Sequence, residues 1–172
     1  QRDFYDAVED LFADEPGIDI VRRQIAAHPA SLLRSESELA KAIVSHVGPE
    51  GIKAIPSAKT EYLLDYLTPL TLGQGDQVVV FTFFGPSVIP HLQETLEGAG
   101  ISCALYYGGV QDREAQKEEF KKGEKMVFLA SDAGSDGINL PEASYVVEYE
   151  ISTTYATRSQ RLARISRITS DK

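Results

Sequence analysis

Four arginines stand three residues apart near the end of this sequence, at Arg158, Arg161, Arg164 and Arg167. Side chains three apart on a helix lie on one face, so the spacing predicts a positively charged helix face. A guanidinium group is always charged, and its planar array of donors matches the oxygens of a phosphate. The spacing therefore favours a phosphate-binding edge. A solvated helix face that complements the helix C-terminus explains the same spacing equally well.

The charge of the chain is divided unevenly. The 172 residues carry a net charge of −9, whereas residues 158–172 contain five basic residues and one acidic residue. An acidic body disfavours non-specific binding of nucleic acid over the whole surface, because the phosphate backbone is itself negative. A single basic edge favours a local phosphate site instead.

Two hydrophobic patterns divide the chain. Apolar residues at helical spacing predict helices through residues 1–50, with Ser35 and Glu38 forming a capping box for the third helix. From residue 57 onward, apolar strands at residues 77–83, 101–106, 125–130 and 144–149 alternate with helices at 59–70, 87–97, 112–121 and 154–168. Such alternation indicates a parallel sheet covered by helices on both faces. The sequence predicts an α/β domain over residues 57–172, preceded by a helical extension over residues 1–56.

Three loops follow predicted strands at their carboxyl ends, where open parallel sheets bind ligands. They span residues 82–86, 107–110 and 131–141. Their glycines let a backbone approach a ligand closely, and free amides there bind anionic oxygens. Ser131 adds a hydroxyl, and Asn139 adds an amide suited to a sugar hydroxyl. A simple turn at Gly108 and a loop-shaping role for Gly137 are the alternatives.

Several catalytic motifs are absent from this sequence. It has no glycine-rich phosphate loop ending in Lys and Ser or Thr, and no Asp-Glu pair that ends a strand as a magnesium site. No Ser/His/Asp or Cys/His set has credible spacing, and the three histidines lack metal-ligand spacing. Phosphate-binding arginines without a phosphate loop predict arginine fingers that act on a nucleotide bound elsewhere.

Cysteine usage and hydropathy bear on the location of the protein. Cys103 is the one cysteine, so no disulfide framework forms within the chain. No apolar run approaches the roughly 18 residues that a membrane span requires. We therefore expect no membrane partner and an intracellular protein, cytoplasmic if its source is bacterial or viral.

The order of these segments resembles the second, C-terminal RecA-like lobe of superfamily-two helicase-like ATPases, and within them the Swi–Snf group of DNA translocases. The residues that carry the resemblance are Gln1 with Tyr5, His28-Pro29, Ser57-Ala58-Lys59, residues 78–84, Gly108 with Gln116 and Phe120, residues 131–140, and Gln160 with Arg164 and Arg167. The last two groups are similar in order and spacing to motifs V and VI of this family.

The resemblance implies a RecA-like sheet between helices and a role in an ATP-driven motor. It implies that Arg164 and Arg167 are the arginine fingers, and that Gly137, Asn139 and Gln160 face the nucleotide. ATP and Mg²⁺ are then held mainly by a first RecA-like lobe outside this sequence, and no residue of this chain is expected to bind a metal. The chain alone is expected to hydrolyse no ATP.

The resemblance also implies that Thr82, Gly108 and Ser131 approach the backbone of duplex DNA. The sequence departs from the family at Ser166, where a histidine is usual, and at Asp132, where a basic residue is common. Two alternatives stay open: a lobe of another superfamily-two motor, such as an RNA helicase or a restriction-system motor, and a non-enzymatic α/β adaptor with a basic C-terminal edge.

Overall fold

The computed structural model describes residues 1–131, 138–151 and 159. Its helices are α1 (Arg2–Phe12), α2 (Ile18–Ala27), α3 (Glu38–Val47), α4 (Pro49–Lys53), α5 (Ala58–Thr68), α6 (Gly85–Gly98) and α7 (Arg113–Lys121). A 3₁₀ helix covers Pro29–Arg34, and a π-helical turn covers Pro69–Gln74. The strands are β1 (Val78–Thr82), β2 (Cys103–Tyr106), β3 (Val127–Ser131) and β4 (Tyr145–Glu148). The helix predicted at 154–168 lies outside the described residues.

The chain divides into two compact units, Gln1–Leu63 and Leu64–Lys172. We call them the helical unit and the α/β unit. The division falls within helix α5, which begins at Ala58. The boundary predicted between residues 56 and 57 stays a prediction.

The helical unit has its own apolar core. Val21, Ile25, Ile43 and Ile52 are buried at its centre because each helix turns one apolar face inward. Ser37, and not Ser35, caps helix α3, since its hydroxyl accepts a hydrogen bond from the Ala40 amide. The capping box predicted from Ser35 is therefore wrong.

Ser35 has other partners in the helical unit. Its hydroxyl donates to the side-chain oxygen of Gln24 and accepts a hydrogen bond from the Ser37 amide. This hydroxyl therefore binds the segment just before helix α3 to helix α2.

The α/β unit is built on a four-stranded sheet in the order β2-β3-β1-β4, in which every pair is parallel. Strands β1 and β3 are buried along their whole length, as their continuous apolar sequences require. Phe81, Phe120 and Phe128 form the aromatic part of the core. The predicted parallel α/β fold with flanking helices is confirmed.

A side chain from helix α7 hydrogen-bonds to the free edge of strand β2. Leu105 donates its amide hydrogen to the side-chain oxygen of Gln116 on helix α7, at 3.0 Å. An open strand edge is a site for unwanted pairing, so this hydrogen bond protects the sheet. Among the described residues, no helix combines the length and the apolar character needed to cross a membrane.

Candidate functional site

The carboxyl ends of the strands meet at one edge of the sheet. Thr82 at the end of β1 is in register with Ser131 at the end of β3, and Phe81 is in register with Glu148 of β4. Because all strands run in the same direction, the segments that leave them gather at this edge. We call it the carboxyl edge, formed by residues 82–85, 107–109, 131 and 148–151.

Gly85 brings three of these segments into close contact. It is the first residue of helix α6, and a Cβ atom built on it would lie 2.4 Å from Ser131 Cβ and 3.2 Å from Tyr107 Cβ. Contacts this short exclude any side chain at this position. The glycine is therefore required for β1, β2 and β3 to end side by side, with the first turn of α6 against them.

Ser131 is buried at the carboxyl edge, with 2% of its surface exposed. Its hydroxyl has no hydrogen-bond partner in the part of the chain that the structure describes. Buried hydroxyls are nearly always paired, so an unpaired one is a candidate for ligand binding.

The neighbouring helix α6 begins at Gly85, and its N-cap residue Phe84 makes no side-chain cap. In its first turn, Pro86 has no amide hydrogen and the Ser87 amide donates to the Phe84 carbonyl at 3.1 Å. The Gly85 amide and the positive end of the helix dipole are the groups that can attract an anion. An uncapped helix start beside an unpaired hydroxyl is chemically suited to a phosphate group.

Thr82 is fully buried, and its hydroxyl is engaged within the protein. It donates to Glu150 Oε1 at 2.9 Å and accepts a hydrogen bond from the Phe84 amide at 3.2 Å. The second oxygen of the same carboxylate, Glu150 Oε2, accepts a hydrogen bond from the Phe83 amide at 2.9 Å. The predicted contact of Thr82 with nucleic acid stays a prediction.

The loop after β2 exposes main-chain groups to solvent, and Arg113 at the start of α7 adds a positive charge nearby. Gly108 is exposed, and Gly109 has a φ of +112°, a conformation that side chains rarely adopt. The Val110 amide donates to the Tyr107 carbonyl at 3.3 Å, which closes a tight turn. Further along, the Arg113 guanidinium lies 5.5 Å from the centre of the Tyr106 ring in a cation–π contact.

The residues predicted to face the nucleotide are only partly described. Asn139 is exposed between the buried side chains of Ile138 and Leu140. Gly137, Gln160, Arg164 and Arg167 lie outside the described residues. Within residues 1–131, 138–151 and 159, no cluster of three or more His, Cys, Asp or Glu side chains is placed to bind a metal ion.

Residues 58–169 match the family model described as the helicase conserved C-terminal domain. The chain belongs to this family. The match covers the start of α5, the whole carboxyl edge and the arginine-rich stretch. The sheet and its flanking helices are thus the RecA-like fold of a superfamily-two helicase C-terminal domain.

Two curated relatives illustrate the family. This chain is 28% identical over 141 residues to the DEAD-box ATP-dependent RNA helicase 35B of Oryza sativa subsp. japonica, covering 77% of this chain and 23% of the relative. It is 32% identical over 95 residues to the uncharacterized ATP-dependent helicase YqhH of Bacillus subtilis (strain 168), covering 54% of this chain and 17% of the relative. The chain therefore spans less than a quarter of the length of either protein.

Solved structures show the same fold. The C-terminal part of the Fun30 ATPase domain superposes with a TM-score of 0.60 at 18% identity, covering 98% of this chain and 56% of that one. The E. coli DEAD-box protein SrmB superposes with a TM-score of 0.57 at 24% identity, covering 64% of each chain. Proteins named as RNA helicases are among the relatives, so membership of the family does not select DNA over RNA as the nucleic acid.

Sequence reasoning missed three residues of this helicase C-terminal domain. The segment Phe84-Gly85-Pro86 signals a turn, but the tight contact of Gly85 depends on Ser131, far along the chain. Glu150 carries no local signal, because an acidic residue after a strand is typical of a surface. Arg113 follows the helix-capping Asp112, and its aromatic partner becomes evident only when Tyr106 is placed beside it.

Proposed function

We propose that this helicase C-terminal domain is the second motor lobe of an ATP-dependent DNA translocase. In this proposal, Arg164 and Arg167 act on ATP bound by a first lobe. Gly108, Ser131 and the first turn of α6, all at the carboxyl edge, form part of the track for the nucleic-acid backbone. The observation that carries the proposal is the uncapped start of α6 beside the unpaired Ser131 hydroxyl, within the matched family domain.

The carboxyl edge and the segment that follows it after β2 offer four kinds of group to a phosphate backbone. Helix α6 supplies the partial positive charge of its first turn, and Ser131 supplies a hydroxyl. Gly108 exposes main chain, and Arg113 adds an exposed cation on the neighbouring segment. Contacts of these types hold a strand without reading its bases, which suits a motor that must move along any sequence.

The arginine-rich stretch supplies the other half of the proposal. Bound Mg²⁺–ATP provides the phosphoryl group to be transferred. Arg164 and Arg167 neutralise the charge that develops on the γ-phosphate oxygens. A finger of this kind contributes about 10³–10⁵ in rate in other phosphoryl-transfer systems. The helicase C-terminal domain has no phosphate loop of its own, so it acts as one part of a divided site.

The helical unit bears on the choice between motors. The Fun30 ATPase structure covers 98% of this chain, and so includes most of the helical unit as well as the sheet. The SrmB structure covers 64%. The alignments with two RNA helicase relatives cover 77% of this chain and so also extend into the helical unit. The fuller coverage by the Fun30 ATPase domain is what supports the ATPase type. An RNA helicase is the second candidate, and it is favoured by the names of the curated relatives.

ATP turnover by the full-length parent protein separates these candidates. Turnover is measured without nucleic acid, with duplex DNA, and with single-stranded and duplex RNA at equal nucleotide concentration. We expect duplex DNA to stimulate turnover most. Stimulation by RNA but not by DNA contradicts the translocase proposal and supports the RNA helicase. A parent protein without any ATP turnover contradicts both and supports a non-enzymatic adaptor.

A further inference from the structure

Glu150 joins the end of β4 to the turn between β1 and α6. Its side chain is buried, with 9% exposed, and each carboxylate oxygen accepts one hydrogen bond from that turn. A buried carboxylate is costly unless such bonds compensate for lost water. The sheet does not need this link to hold β4, because the two strands are already paired and the Tyr149 amide donates to the Phe81 carbonyl at 2.8 Å.

The turn fixed by Glu150 leads directly to Gly85 and the start of α6. The carboxylate holds the Thr82 hydroxyl and the Phe83 amide, and Thr82 in turn holds the Phe84 amide. Phe83 is half exposed, and its ring packs edge-on against Phe84 with centroids 5.0 Å apart. One side chain therefore sets the geometry of three consecutive residues at the proposed phosphate track.

Glu150 also stands just before the segment that leads to the arginine-rich stretch. After Ile151 the sequence runs to the stretch that carries Arg164 and Arg167. Glu150 is thus bonded to the turn before α6 and covalently continuous with the arginine-rich stretch. A displacement of either the turn or the end of β4 therefore changes both the hydrogen bond from Thr82 and the hydrogen bond from Phe83.

We propose that Glu150 is a positioning residue that couples nucleic-acid binding at the carboxyl edge to ATP turnover. It touches neither ligand. Its loss lowers the stimulation of ATP turnover by nucleic acid and leaves unstimulated turnover largely intact. This inference rests on the proposed function, because it needs a motor that nucleic acid stimulates.

The test uses the full-length parent protein with Glu150→Gln. The amide keeps the shape of the side chain but removes its charge, and its nitrogen cannot accept a hydrogen bond. The Thr82 hydroxyl or the Phe83 amide therefore loses its acceptor, and the remaining contact loses the contribution of the carboxylate charge. We measure ATP turnover without nucleic acid, turnover with saturating nucleic acid, and the Kd for nucleic acid. The ratio of stimulated to unstimulated turnover is expected to fall by about 5–150-fold, the usual range of coupling between two sites. Unstimulated turnover and Kd are expected to change by less than about threefold, which is less than half of the 1.4 kcal/mol that a tenfold change represents.

Four further variants make the result decisive. Glu142→Gln, at an exposed position before β4, is the matched control and is expected to change nothing. Thr82→Val removes the hydroxyl that Glu150 binds, and Thr82→Ser keeps it, so the first is expected to lower the ratio and the second to preserve it. The double variant Glu150→Gln with Thr82→Val is expected to be non-additive, since both changes break the same link.

Two results overturn the inference while leaving the proposed function intact. One is an equal fall in stimulated and unstimulated turnover with Glu150→Gln and Thr82→Val, which indicates a structural role only. The other is an unchanged ratio in both variants. If Glu150→Gln does not fold, the Thr82 pair decides alone. A wild-type parent that nucleic acid does not stimulate contradicts the proposed function and this inference together.

Discussion

Buried hydroxyl groups have different surroundings in the two units of this molecule. In the helical unit, Ser31 and Ser57 are buried, and each donates to a main-chain carbonyl of helix α2. At the carboxyl edge of the α/β unit, Ser131 is equally buried, yet its hydroxyl has no partner among the described residues. An unpaired buried hydroxyl costs stability, so under the proposed function we expect a bound ligand to supply the missing partner of Ser131.

Several polar contacts of the helical unit hold the ends of its helices. Ser57 caps helix α5 by accepting hydrogen bonds from the amide and hydroxyl of Thr60. Gln1 accepts from the Ala58 amide and donates to the Ile25 carbonyl, so it ties the start of α5 to the end of α2. The helical unit is therefore expected to respond to substitution through stability, and the carboxyl edge and arginine stretch through activity.

The largest expected effect comes from the arginine-rich stretch. Arg167→Ala in the full-length parent protein removes a charge proposed to act on the γ-phosphate, and we expect ATP turnover to fall by about 10³–10⁵-fold. Steady-state turnover at saturating ATP and nucleic acid measures this, and the Kd for nucleic acid is expected to stay the same.

An arginine of the helical unit is the matched control. Arg22 binds the carboxylates of Glu9 and Asp19, which raise the pKa of its guanidinium. Arg22→Ala is expected to lower stability slightly and to leave ATP turnover unchanged. Equal loss of turnover in both variants contradicts the division of roles between the two regions.

The second effect concerns packing at the carboxyl edge. Gly85→Ala forces a methyl group against Ser131, and we expect the free energy of unfolding to fall by about 1–3 kcal/mol, as overpacking usually costs. Gly98→Ala at the other end of the same helix meets no atom within 4 Å and is expected to leave stability equal or slightly higher. Urea unfolding of both variants checks this, and equal stabilities would show that Gly85 is not tightly packed.

The third prediction compares two buried serines directly. Ser57→Ala removes a helix cap, so we expect it to cost about 1–2 kcal/mol of unfolding free energy. Ser131→Ala removes a buried hydroxyl that has no partner among the described residues, so the unfolding free energy is expected to stay equal or to rise. In the parent protein, Ser131→Ala is expected to weaken nucleic-acid binding instead. Should Ser131→Ala destabilise the protein as much as Ser57→Ala, the distinction between the two regions fails.

The smallest effect is expected from the thiol of Cys103 on strand β2, which reports on the α/β unit alone. Burial raises the pKa of this thiol from its ordinary value of 9.0 to about 12, and the nearby Glu97 charge adds to the shift. Between these two values the thiol of Cys103 stays protonated in the folded state but ionises in the unfolded state. The free energy of unfolding is therefore expected to fall as the pH rises above 9, and this thiol has no effect on it at lower pH.

Labelling with a thiol reagent at pH 8 measures the same property. We expect slow labelling of the native protein and fast labelling in urea, because the buried thiol is neither ionised nor accessible. Cys103→Ala is expected to remove the added loss of stability above pH 9. Fast labelling of the native protein would show that strand β2 opens readily.

The sequence predicts the architecture well because the relevant signals are local. Uninterrupted apolar runs such as Val78–Thr82 predict buried parallel strands, and the structure confirms them. The order β2-β3-β1-β4 depends on pairing between distant segments, which no local pattern specifies. At a finer scale, Ser35 and Ser37 both precede helix α3, and only the tertiary contact of Ser35 with Gln24 leaves Ser37 as the cap.

The candidate site is predictable in kind but not in detail. Loop composition points to the carboxyl edge and to Ser131, because glycines and hydroxyls stand out between apolar strands. Glu150 is identified only from the pairing of β1 with β4, which brings its carboxylate to Thr82. The unpaired state of the Ser131 hydroxyl likewise depends on neighbours that the sequence does not reveal.

A divided ATPase site is best tested by the ATP turnover of this 172-residue chain on its own. We expect no turnover above background, with or without nucleic acid, because the arginines are proposed to complete a site whose phosphate-binding half lies in another lobe. Measurable turnover by the isolated chain that Arg167→Ala abolishes would rule out a divided site, since a complete ATPase site would then lie within these residues.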